Sequence, residues 1–129
     1  MAIAFILDDN DQPVPADTVA AFKWKDENED RSIVAQDTVK READGRMFWV
    51  STVFLAVDHS FTDGPPVLWE TMVFDGLEGG GPQHIKTAFG LPGLRDHAQD
   101  RYSSLAAAKA GHRAMVDAVR RGDIPEESE

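Results

Sequence analysis

The amino-acid sequence predicts an α+β fold. An antiparallel meander of three to four strands is expected, packed by a C-terminal amphipathic helix, with a short helical segment near Trp24. Three observations carry this expectation. Residues 47–59 and 67–75 are long runs of β-branched and aromatic residues, separated by a bend containing Gly64-Pro65-Pro66. Residues 105–119 place apolar groups at steps of three and four, the period of a helix with one buried face. Finally, 129 residues with 42% apolar side chains suffice for one domain with a real core, and the absence of cysteine rules out disulfide staples.

"AFILD" (Ala4 to Asp8) reads as a short strand, and the turn formers "DDNDQP" end it. "PVP" then continues in an extended path, because each proline biases the residue before it away from the helical region. Asp17 is placed to cap a helix running through Val19, Phe22 and Trp24, although its apolar stripe is poor and its end is crowded with like charges.

"RSIVAQDTVKRE" is a mixed β-branched stretch, and Asp44-Gly45 suits a two-residue type I′ turn into the next strand. In "MFWVSTVFLAVDH" one face carries Phe48, Val50, Thr52, Phe54 and Ala56. The other carries Trp49, Ser51, Val53, Leu55 and Val57. Apolar groups on both faces predict a central strand with cover on each side, and "VLWETMVFD" is the strand that follows.

Residues 76–101 lose periodicity and hold six of the ten glycines, which predicts a long Gly-rich loop. The closing helix is capped by Ser103 or Ser104 and stopped by Gly122. Leu105, Ala108, His112, Met115 and Val119 form its inner stripe, with Val116 beside them, while Lys109, Arg113, Asp117 and Arg121 face outward. His112 in that stripe is expected to be a satisfied core histidine. Gly111 beside it suggests close approach of another backbone, such as that of a second subunit. Residues 123–129 are expected to fray.

Net charge is −10 and the pI about 4.7. Nucleic-acid binders neutralise phosphates with Lys and Arg, so direct binding of nucleic acid is disfavoured. An acidic inhibitor that imitates DNA is an alternative. The acids, however, gather in "DENED" (Asp26 to Asp30) and "PEESE" rather than spreading over a surface. The apolar run at the N-terminus ends at Asp8, too short for a signal peptide or a membrane span, which predicts a cytoplasmic protein with no membrane partner.

The candidate chemistry lies at the bend between the two long strands. His59 and Glu70 are the candidate catalytic pair, and Asp58, His59 and Asp63 the candidate metal ligands, since imidazole and carboxylate together suit divalent metals. A small metal-assisted enzyme built on these four residues is one reading. Plain hairpin architecture is the other, with Asp58 and Asp63-Gly64 satisfying their own turn and His59 facing Glu70. No nucleophile elbow and no phosphate loop are present, and no cofactor is expected.

"FILDDNDQPVP", "EDRSIVAQDTV", "VSTVFLAVDHSFTDGPPVLWETMVFDG" and "RYSSLAAAKAGH" together resemble a family of small uncharacterised proteins of tailed phages and prophages, mainly actinobacteriophages. The most specific stretch is "VSTVFL", then "DHSF", "GPP" and "WETMVF". The resemblance implies a non-virion accessory role inside a bacterial host and supplies no functional residue. With a sheet too apolar for one helix to shield, it points to a protein-interaction module acting on a host protein or self-associating as a homo-oligomer.

Overall fold

The computed structural model describes residues 3–58, 64–86, 92–94 and 96–123. Strand β1 (Ala4–Leu7) pairs antiparallel with β2 (Pro13–Ala16), Ala4 opposite Ala16. The turn between them is built by Asp8, whose Oδ1 accepts the amides of Asn10 at 2.8 Å and Gln12 at 3.0 Å. Helix α1 (Thr18–Glu27) begins at Asp17, whose carboxylate accepts the Ala20 amide at 2.8 Å, as its N-cap position requires. A single turn, α2 (Glu29–Ser32), follows and delivers the chain into the main sheet.

That sheet has four antiparallel strands in the order β3 (Ile33–Lys40), β4 (Met47–Phe54), β5 (Trp69–Asp75) and β8 (Asp96–Tyr102). Between β5 and β8 the chain makes a separate hairpin, β6 (His84–Lys86) with β7 (Pro92–Leu94). Helix α3 (Leu105–Arg121) then lies across one face of the sheet. Ser104 caps its start by accepting the Ala107 amide at 3.1 Å. Gly122 ends it at φ 80°, with the Asp123 amide reaching back to Ala118 at 2.8 Å. This left-handed closure is the one glycine makes without a Cβ penalty.

The core is the face beneath α3, and it falls into two clusters. Near the N-terminus of α3, Phe54, Leu68, Trp69 and Ala108 pack with Phe5 and Leu7 of β1 and Ala21 of α1. Near its C-terminus, Phe48, Val50, Val73 and Val39 pack against Val119. Phe48, Val50, Thr52, Phe54 and Ala56 are at most 1% exposed, so the face assigned to them from sequence is the sealed one. The opposite face is only half-buried at Trp49, Val53, Met72 and Phe74, with the Trp49 and Phe74 rings 6.1 Å apart.

Four expectations need correction. Residues 76–101 are not one long loop: 84–86 and 92–94 pair as β6 and β7, and 96–101 belong to β8, an edge strand whose Ala98 pairs with Val73 and whose Tyr102 pairs with Trp69. "DHAQDRY" conceals this because edge strands favour charged residues. The expectations for residues 87–91 and 95, and for the tail from 124 to 129, fall outside the described residues. The β3–β4 connection is not a two-residue type I′ turn, since Gly45 (φ 74°) takes positive φ but Asp44 does not. Instead the Gly45 amide donates to the Arg41 carbonyl, and Asp44 braces Arg41 through Nε at 2.9 Å.

The third correction concerns β4, which ends at Phe54 rather than running on to His59. Ala56 kinks at φ 67°, after which Val57 bridges Ala4 and the Asp58 amide donates to Ile3 at 2.8 Å. The run of apolar residues thus leaves one sheet and enters the other. The fourth concerns Gly111. A Cβ there would sit 2.2 Å from the Tyr102 hydroxyl, so the group approaching α3 is a side chain of the same chain and not a second subunit.

Candidate functional site

Of the four residues at the β4–β5 bend, Asp58 and Glu70 are described, while His59 and Asp63 lie outside the described residues. Asp58 works within its own connection: its Oδ1 accepts the Val67 amide at 2.8 Å and so ties the two ends of the bend together. Glu70 stands on the half-buried face of β5, directly opposite Arg101 of β8. Its Oε2 accepts from Arg101 Nε at 2.8 Å, so a cross-strand guanidinium holds the carboxylate that the hairpin reading assigned to His59. Among the described residues no three His, Asp or Glu side chains come close enough to hold a metal ion.

Sequence reasoning missed a continuous polar chain through the core. His112, 4% exposed, lies between two hydrogen bonds: Nδ1 to Thr52 Oγ1 at 2.7 Å and Nε2 to Asp37 Oδ2 at 2.7 Å. Thr52 Oγ1 is 2.5 Å from Thr71 Oγ1, its direct cross-strand partner. The Tyr102 hydroxyl donates to Thr71 Oγ1 at 3.0 Å. Burial pushes the Tyr102 phenol above its usual range, the Thr71 hydrogen bond opposing that shift, so it is a donor at neutral pH.

From that fixed end the protons can all run one way. Tyr102 donates to Thr71, Thr71 to Thr52, Thr52 to His112 Nδ1, and His112 Nε2–H to Asp37. Each buried polar side-chain atom of Tyr102, Thr71, Thr52 and His112 is then satisfied, which interiors demand.

A hydroxyl, an imidazole and a carboxylate in a row have the composition of a nucleophilic triad, but the order of exposure is wrong for one. Thr52 and Thr71 are 0% exposed, and the outer end of the row is the carboxylate of Asp37, whose side chain is 56% exposed. A nucleophile must reach its substrate. Here the hydroxyls are spent inside the core and specify how α3 seats on β4 and β5.

A second polar cluster fixes the other end of the sheet. Asp75 Oδ1 accepts from Arg46 at 2.7 Å and pairs with His97 Nε2 at 2.8 Å. The Arg41 and Arg46 guanidiniums lie 5.2 and 5.0 Å from the Phe48 ring centroid, and His97 meets the same ring edge-on at 5.4 Å. Burial alone would raise the Asp75 carboxyl. The hydrogen bonds from Arg46 and His97, then the charges beside them, outweigh it and hold the group below the usual carboxylate range.

The molecule's surface offers a different kind of site. Helix α1 turns Ala21 into the core and sets Trp24 edge-on to Phe54 at 5.9 Å, so its opposite side carries Val19 and Phe22 into solvent. These are 79% and 54% exposed and, three residues apart, lie on one helix face. Phe22 forms one wall of an open concavity of about 790 Å³, whose other side is Ile33, Gln36 and Val53 of the sheet. Asp26 and Glu29 stand on its rim together with Lys23 and Lys25. The poor apolar stripe of α1 was the sequence signal: Val19 and Phe22 fall on the wrong side of the Ala21–Trp24 line to be core.

No protein-family model, curated protein or solved structure matches the chain. Among the described residues no helix is long and apolar enough to cross a membrane.

Proposed function

We propose that the chain is a protein-interaction module, a phage or prophage accessory protein that binds a host protein in the bacterial cytoplasm through the groove between α1 and the β3–β4 edge of the sheet. The observation that supports this reading is exposed Phe22 beside the half-buried Ile33 and Val53, with exposed Val19 on the same face of α1. Large apolar side chains contiguous with a groove and rimmed by charge have the make-up of protein contact surfaces. A binding role also agrees with the polar chain of His112, whose hydroxyls are consumed in the core.

The test is affinity capture from host lysate with the wild type and with Phe22→Asp and Val19→Asp. Both positions are solvent-facing, so each variant should retain its thermal midpoint while losing the captured protein. A capture profile unchanged by either substitution would remove the groove from consideration.

A further inference from the structure

The α1–α2 junction bordering the groove says what kind of partner suits it, and this inference rests on the docking reading above. We infer that the α1–β3 groove receives a basic amphipathic segment of the partner, with apolar anchors placed between Phe22, Ile33 and Val53 and Lys or Arg side chains over the α1–α2 junction. The junction concentrates unpaired acid. Asp26, Glu29 and Asp30 make no ion pair or side-chain hydrogen bond among the described residues, and Glu27 has only a 4.0 Å contact with Lys23 that is exposed on both sides. Arg31, the cation within this turn, is already committed to Asp11 at 2.8 Å and to the Asp8 carbonyl, and it lies over Trp24. Lys23 and Lys25 remain, and they are outnumbered by the four carboxylates.

The wider charge distribution points the same way. The outer face of α3 carries Lys109, Arg113, Arg120 and Arg121 against Asp117, whereas residues 23–31 carry four carboxylates against three cations, so the junction is the more acidic of the two surfaces. An acidic partner meets long-range repulsion, and a basic one is steered in. Apolar anchors supply the short-range part, since exposed carboxylates alone hold a partner only weakly.

The experiment uses the full chain and two synthetic 14-residue peptides with the same leucine face. One has lysine on its polar face, the other glutamate. Backbone amide shifts and affinity are followed at about 50 mM and 1 M salt, between which the screening length falls from above 10 Å to about 3 Å. The expected result is shifts confined to the surroundings of Phe22, Ile33 and Val53, and a preference of ~tenfold for the lysine peptide that shrinks toward parity at 1 M. Phe22→Asp removes the shifts, and Asp26→Lys with Glu29→Lys reverses the preference.

Equal binding of both peptides at the groove, abolished by Phe22→Asp, leaves the docking surface standing and overturns the basic partner. Preference for the glutamate peptide does the same. A lysine peptide that binds irrespective of Phe22 is adsorbing to charge alone and overturns the inference. Absence of groove shifts with either peptide overturns both the inference and the docking reading. A concentration-dependent dimer lost in Phe22→Asp would assign the groove to a second copy and equally exclude this partner.

Discussion

Gly111→Ala would by helix propensity alone stabilise α3 by about 1 kcal/mol. Tertiary packing predicts the reverse. The new Cβ would lie 2.2 Å from the Tyr102 hydroxyl and 2.3 Å from two ring carbons, where ordinary contact is 3.4–4 Å. The phenol must therefore retreat by roughly 1.2 Å, enough to take it out of reach of Thr71, which it now meets at 3.0 Å. Overpacking of this kind costs about 1–3 kcal/mol and the lost hydrogen bond about 1 more. After the propensity gain, a net destabilisation of roughly 1–3 kcal/mol remains.

Urea unfolding is the assay. With a slope near 2 kcal/mol per molar, a loss of 2 kcal/mol lowers the midpoint by ~1 M at unchanged slope. The second arm is Tyr102→Leu, which removes the hydroxyl and the far ring carbons. In that background Gly111→Ala should become neutral or stabilising, giving a coupling energy of about 2 kcal/mol. A Gly111→Ala single variant that is more stable than wild type refutes the reasoning, because it means Tyr102 yields without cost.

Other substitutions probe the remaining features. Gly76→Ala brings a Cβ to 2.7 Å from the Phe48 carbonyl carbon, which is backbone and cannot swing aside, so a loss of at least ~2 kcal/mol is expected. Gly79→Ala, with nothing within 4 Å, is the matched control and should stay within ~0.5 kcal/mol of wild type in the same titration. His112→Ala should cost about 2–4 kcal/mol by leaving a cavity and unpairing Thr52, whereas Asp37→Asn, at the exposed end of the same chain, should cost under ~1 kcal/mol. Equal losses at the two positions would show that the carboxylate, not the packing, holds the network.

Acid stability follows from Asp75 and Asp44, both with native carboxyls held below their ordinary 3.8. Arg41 is the main cause at Asp44, and Arg46 and His97 overcome burial at Asp75. A depressed native value means the contribution is complete above the unfolded value near pH 4 and disappears as pH falls through the native one. Midpoints recorded from pH 6 to 2 should drop at the acid end, and Asp75→Asn should flatten that limb. An unchanged limb would mean that the Arg46–Asp75–His97 cluster contributes nothing to it.

The local elements were legible because each is specified by neighbours in sequence. Asp17 and Ser104 cap helices wherever the following residues can turn, and the 105–119 stripe states which face of α3 is apolar. The alternation in 48–56 sorts the residues onto two faces, but with apolar groups on both it does not say which one α3 seals. β8 was not legible, since Asp96 to Tyr102 earns its place by pairing with Trp69 and Val73, some thirty residues earlier in the chain. The end of β4 was hidden for a related reason: Leu55, Ala56 and Val57 are as apolar as the strand before them, and only the presence of β1 makes them leave the sheet.

The candidate site shows the same division. Sequence offered Asp58, His59, Asp63 and Glu70 because they are ionisable and close along the chain. Asp58 does bond an amide of its own connection, that of Val67, as the hairpin reading expected, but Glu70 answers to Arg101, a partner set by strand register. Conversely His112, Asp37, Thr52 and Thr71 are spread over 75 residues from Asp37 to His112, and no spacing rule connects them.

By itself the sequence determined the helices α1 and α3, the extended segments that become β1, β3, β4 and β5, and the apolar side of α3, because propensity, capping and periodicity act over a few residues. Tertiary structure alone decided which polar groups meet. A hydrogen bond is made within about 3 Å, and that distance is fixed by how α3 seats on the sheet rather than by position along the chain.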